Sequence, residues 1–163
     1  MTGIDDAGWF DSGRAVVRSD WIDYNGHMNV GYYLVAFDQA TEAIHVHLGI
    51  GEAYRREHDA STFVLEAHVT YDHELLEGAP LAFRTRVVAF DSKRLHLMHR
   101  MFHAEEGYLA ATNELMCLHV DLKQRKTSPF PDDAMARIRE VGEEHARFGA
   151  TEGAGRAIGI RRR

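Results

Sequence analysis

DYNGHMN (residues 23–29) runs directly into VGYYLVAFDQATEAIHVHLG (residues 30–49). In the second segment Val30, Tyr33, Leu34, Phe37, Thr41, Ile44 and Leu48 recur at helical spacing, which predicts one amphipathic helix of about five turns. Gly49 stands where a helix closes with a residue in the left-handed conformation. The first segment stands where that helix begins. Asp and Asn are ordinary caps there, and Asn25-Gly26 is an ordinary turn pair. A cap needs only one such residue, whereas here an acid, two asparagines and a histidine share seven positions. The stretch reads as a cap and a candidate reaction site together.

Working outward, residues 1–13 read as a loose lead-in and Arg14 to Ser19 as a short strand. Glu52 to Asp59 adds a helical turn beyond the long helix. Ser61 to Leu75, Leu81 to Ala89, Leu95 to Ala104 and Tyr108 to Asp121 read as strands, punctuated by turns at 77–80, 91–93 and 105–107. A last helix is expected from Pro131 to about Phe148, with a short basic tail, GRAIGIRRR, after it. Tight turns between the four later strands suggest antiparallel hairpins. A sheet must bury one face, and the long helix is the only element large enough to cover it. The expected architecture is α+β: one domain over residues 1–163, an antiparallel sheet wrapped around a central helix. Its core lies at about 14–122, and the C-terminal helix and tail at 131–163.

Bulk properties narrow the function classes. A chain of 163 residues suits one domain with its own core. The single cysteine, Cys117, excludes an internal disulfide and reads as a small core residue in a reducing compartment. No apolar run reaches the ~18 residues of a membrane span, and the acidic N-terminus lacks a signal-peptide pattern. A formal charge of −6 disfavours a nucleic-acid surface. A soluble, cytoplasmic protein is expected. The eleven histidines do not assemble a metal site on paper. His45 and His47 point to different faces of a helix, and strand alternation sets His96 opposite His99 and His103. GIGEAY lacks the context of a dinucleotide fingerprint. Neither a metal nor a cofactor is expected.

The chemistry converges on the helix start. Unpaired N–H groups and a partial positive charge collect there, so the N–H groups of Val30 and Gly31 are candidate donors to a developing oxyanion. Asp23 is positioned to act as base or nucleophile. Asn25 can polarise a carbonyl or hold water, and His27 can move a proton near neutral pH.

WIDYNGHMNVGYYLVAFDQAT resembles the opening motif of hotdog-fold thioesterases, and the element order matches that fold over most of the chain. Asp23, Asn25 and His27 are similar to the Asp-x-Asn-x-His pattern of plant-type acyl-ACP thioesterases, and YDHE then sets Tyr71 and Glu74 where that group carries a tyrosine and a second acid. WIDYNGHMN, FVLEAHVTY, SKRLHLMHRMFHA, ATNELMCLHVDL and GRAIGI resemble the betainyl-CoA thioesterases of carnitine breakdown, a domain type also found fused behind carnitine dehydrogenases. The resemblance implies hydrolysis of betainyl-CoA to glycine betaine and CoA. A quaternary ammonium group is recognised by ring faces, which makes Trp21, Tyr24, Tyr33 and Tyr71 candidate walls. Lys93 and Arg94 are candidate partners for the CoA phosphates. The resemblance also implies a homodimer or homotetramer with sites at the subunit interface, Asp23 acting beside the partner's Glu74. Hydrolysis of another acyl-CoA or acyl-ACP stays open, as does a non-catalytic acyl-CoA-binding module. A hydratase is disfavoured, because its motif resembles Asp-x-Asn-Pro-x-His and no proline stands here.

Overall fold

The computed structural model describes residues 4–160. The central helix, α1, spans Val30–His47. Tyr33, Ala36, Phe37, Ala40, Thr41, Ile44 and His45 form its buried stripe, the three- and four-residue spacing of the sequence made physical. Ala36 and Ala40, one turn apart, let the backbone lie close on the sheet. The helix closes with Gly49 at φ +72°. The Gly49 N–H donates to Val46 O and the Ile50 N–H to His45 O, at 3.0 and 2.8 Å. This is the Schellman pattern, which needs a glycine at that position.

Around α1 curls one antiparallel sheet made of β1 (Phe10–Val16), β2 (Ala60–Tyr71), β3 (Pro80–Phe90), β4 (Arg94–His103) and β5 (Leu109–Asp121), with β6 (Lys126–Thr127) paired to the end of β5. The order is β1-β3-β4-β5-β2. A short helix α2 (Glu52–His58) leads into β2, and α3 (Asp132–Ala146) closes the sheet at the C-terminal end of α1. There Ala134, Ile138 and Val141 join Ile44, Leu48, Leu95 and Cys117 in one half of the core. Trp21, Met28, Tyr33, Phe37, Leu75, Phe83 and Met101 form the other half, under the start of α1. Burial pushes the Cys117 thiol up to about 12.

Three expectations are corrected. The lead-in is not loose throughout, because β1 begins at Phe10 and pairs with β3 through Val16, with a register shift between Asp11 and Gly13. FDSGRAV hides this strand, since Asp, Ser and Gly dilute its alternation. β2 stops at Tyr71, short of Leu75. Most consequentially, β2 and β3 are not a hairpin. β2 pairs with β5 at the far edge, so residues 72–79 cross the end of the sheet. In crossing, Leu75 buries its side chain completely and its carbonyl accepts the Met28 N–H at 2.8 Å. The Ala79 carbonyl accepts the Val17 N–H at 3.0 Å.

Polar groups thread the core beneath α1. His99, fully buried, bonds Thr41 Oγ1 at 3.1 Å and Thr85 Oγ1 at 2.7 Å, and the Thr85 hydroxyl bonds Ser12 Oγ at 2.7 Å. His145 Nδ1 accepts the Val87 N–H at 3.0 Å, beyond the point where β1 pairing ends at Thr85. Burial lowers His99 to about 3 and lowers His45 and His145 to about 4. These rings stay neutral in the folded protein while the unfolded chain takes up protons below about pH 6.5. Stability is therefore fully present above that pH and declines as pH falls toward 4. By pH 4, a buried histidine lowered to about 4 removes roughly 3 kcal/mol. Thermal denaturation between pH 7 and 4.5 is expected to show a steadily falling Tm. A flat profile would contradict neutral burial of these rings.

Candidate active site

The motif is a closed loop. Ile22 and Met28 bridge its ends as an antiparallel pair. The Asp23 N–H donates to His27 O at 3.0 Å, the Gly26 N–H to Asp23 O at 3.0 Å, and the Asn25 N–H to Asp23 Oδ1 at 2.8 Å. Gly26 takes φ +84°, which the turn requires and a side chain would resist. Asp23 thus spends one carboxylate oxygen holding the loop. His27 Nδ1 lies 3.4 Å from Met28 O.

Asn29 is the helix cap. Its side-chain oxygen accepts the Gly31 N–H at 3.0 Å. Of the two candidate oxyanion donors, Gly31 is therefore already engaged. Among the described residues nothing accepts a hydrogen bond from the Val30 N–H, so Val30 is the donor free to meet a ligand.

A hollow of about 460 Å³ opens at this helix start. It is lined by Asp23, Asn25, His27, Val30 and Glu74, with rings from Tyr24, Tyr33 and Tyr71. The crossover of residues 72–79 supplies Glu74. Asp23 and Glu74 line the same hollow within a single chain. Tyr33 and Tyr71 meet edge to face, centroids 5.1 Å apart. The Tyr71 hydroxyl donates to Val30 O at 3.2 Å, pinning the ring to the helix start. Burial pushes the Tyr33 phenol up to about 12, so it remains a neutral hydroxyl.

Three candidates lie elsewhere. Trp21 ends a short 3₁₀ helix (Ser19–Trp21), is buried, and stacks on Tyr32 at 5.7 Å in the core. It supports the loop from behind, its carbonyl accepting the Asn29 N–H. Lys93 and Arg94 sit at the opposite end of the same sheet. Arg94 pairs with Leu118 of β5, whereas Tyr71 pairs with Ala111. Seven strand residues separate those positions, roughly 23 Å. Arg94 also forms an ion pair with Asp91. Conversely, Asp72 and His73 line the hollow although the sequence reading passed over them. His73 Nδ1 bonds Leu109 O at 2.9 Å. Their position between Tyr71 and Glu74 was the available signal.

The model of the thioesterase-like superfamily matches residues 17–138, which include the whole motif loop, α1 and the crossover. This chain belongs to that superfamily. The thioesterase is 38% identical to a betainyl-CoA thioesterase of Pseudomonas aeruginosa over 88% of this chain and 91% of that one. It is 36% identical to an L-carnitine dehydrogenase/betainyl-CoA thioesterase of Rhizobium meliloti, covering 90% of this chain and 29% of that longer protein. Among solved structures, a Staphylococcus aureus protein in complex with CoA superposes with a TM-score of 0.83 at 29% identity, over 91% of this chain and 94% of that one. The curled sheet around a long helix is the hotdog fold of thioesterases.

No helix of the described residues is long and apolar enough to cross a membrane.

Asn29→Ala removes the side-chain acceptor at the helix start. A loss of about 1 kcal/mol in chemical denaturation is expected. No change would show that the cap contributes nothing to the fold.

Proposed function

We propose that this thioesterase hydrolyses betainyl-CoA to glycine betaine and CoA, using Asp23 and the start of α1. The observation that carries this reading is the near full-length relationship to the Pseudomonas aeruginosa betainyl-CoA thioesterase. The Staphylococcus aureus neighbour with bound CoA supports a CoA ester as the substrate class.

The positive nitrogen one carbon from the thioester draws electron density from the carbonyl and makes it a good electrophile. The carbonyl oxygen faces the Val30 N–H and the positive end of α1, which stabilise the oxyanion as it forms. Asp23 takes a proton from water as the water oxygen bonds to the carbonyl carbon. The C–S bond then breaks, and CoA leaves as the thiol once protonated. Asn25 orients the water or carbonyl, His27 assists proton movement, and Glu74 adds negative charge on the same side. Attack by the Asp23 carboxylate itself is the second route to the same products. Tyr24, Tyr33 and Tyr71 offer ring surface to the trimethylammonium group.

The active unit is a dimer formed edge to edge. β2 is a free edge strand carrying exposed Phe63, Val64 and Leu65, and α1 exposes Leu34 and Val35 beside it. A long apolar edge invites pairing with another copy. A twofold axis makes that pairing antiparallel and isologous. It brings the far end of the partner's sheet toward this hollow, so that Lys93 and Arg94 of the partner subunit approach the CoA end of the substrate.

The test follows CoA release with a thiol reagent, with the uncatalysed rate of each ester subtracted. The substrates are betainyl-CoA and tert-butylacetyl-CoA, its neutral isostere with carbon in place of nitrogen. The wild type is expected to prefer the cationic ester. Asp23→Asn is expected to lower turnover about 100-fold or more while leaving the Tm unchanged. Equal rates on the two esters would discard the betaine reading, and full turnover by a folded Asp23→Asn protein would discard the site.

A further inference from the structure

The C-terminal tail takes no part in the site, yet it is held on the sheet along a definite path. It crosses the face turned away from α1. Arg100 of β4 donates to the Glu152 carboxylate at 3.2 Å. Gly153 lies over Met98 of β4, where an added Cβ would come 3.2 Å from Met98 Cε. The Gly155 N–H donates to both oxygens of Glu114 on β5, at 2.8 and 2.9 Å, and Glu114 is itself bonded to His96 Nε2 at 2.7 Å. Arg156 and Ile158 then line a hollow of about 480 Å³ with Glu66 and His68 of β2. The tail therefore runs across the strands from β4 over β5 to β2, the free edge. At that edge its apolar side chains have no cover, Ile158 being 91% exposed and Ile160 98% exposed.

We infer that the tail is an interchain strap, with Ile158 and Ile160 docking on the β2 edge of a second copy of this chain. This rests on the edge-to-edge dimer proposed above. β2 runs from residue 60 to 71, so its midpoint lies between Leu65 and Glu66. A twofold axis there sets His68 opposite the partner's Phe63. Phe63 pairs with Leu118 and shares the outer face with Glu66, His68 and Glu114. It is also exposed. The tail reaches β2 beside Glu66 and His68, so its isoleucines meet the partner's Phe63 across the seam. Charge agrees with this placement. The axis brings two Glu66 carboxylates near each other, and Arg156, which lines the same hollow as Glu66, supplies the opposite charge.

The inference is tested by cross-linking and sedimentation. With the bulge at Leu65, Phe63 lies four β5 positions from His68, roughly 13 Å, and an intrachain disulfide is told apart from the strap because it runs as a monomer. Cys117 is buried and does not compete. The double variant Ile158→Cys/Phe63→Cys is expected to form a covalent dimer under mild oxidation, and neither single variant is. A chain ending at Gly155 loses no buried side chain among the described residues, and its dimer is expected to dissociate at least about tenfold more readily, with turnover per dimer unchanged. A dimer insensitive to truncation that also fails to cross-link would overturn the strap alone. A monomeric full-length chain would overturn the edge-to-edge pairing beneath it. The betaine reading is scored separately, by the two-ester comparison.

Discussion

One hydrogen bond, from the Met28 N–H to the Leu75 carbonyl at 2.8 Å, ties together the two segments on which the site depends. Met28 closes the motif loop and precedes the cap of α1. Leu75 lies at the middle of the segment that carries the chain from β2 at one edge of the sheet toward β3 near the other. That crossing is forced by strand order. Because the segment must pass the end of the sheet, it passes the start of the helix, and Glu74, following Tyr71 at the end of β2, arrives beside the unpaired Val30 N–H. Both side chains flanking the bond are fully buried, so water has little access to compete for it.

The core on which this end rests is layered by polarity as well as by size. The half beneath the motif is aromatic and aliphatic, with Phe37, Phe83 and Met101. Toward the middle of α1 the helix presents Thr41 to His99, and at its far end it returns to aliphatic packing against α3. A histidine bonded on both ring nitrogens is a directional element, unlike a leucine. It sets the rotation of α1 against β3 and β4, and so the direction in which the first turn of the helix points its N–H groups.

Much of this was legible in the sequence wherever a local rule decides the outcome. Helical periodicity delivered α1, the glycine rule delivered its end at Gly49, and the concentration of polar residues marked the loop before it. The failures share a different cause. A tight turn at 77–80 looks the same whether the strands it joins are neighbours or lie on opposite sides of a sheet, so the β2–β3 hairpin was expected and the crossover was not. Trp21 stands two residues from Asp23, yet the 3₁₀ turn that contains it rotates the indole into the core. FDSGRAV has too little alternation to announce β1, which takes its strand geometry from pairing with β3.

The position of Cys117 has a consequence for a protein whose product is itself a thiol. Thioesters exchange readily with thiolates, and an enzyme that handles an activated acyl group risks acylating itself. Here the only sulfhydryl in the chain is fully buried in the apolar half of the core, and burial keeps it in the unreactive protonated form. A thioester bound to this chain meets no competing sulfur acceptor on the protein, so the acyl group is left to water.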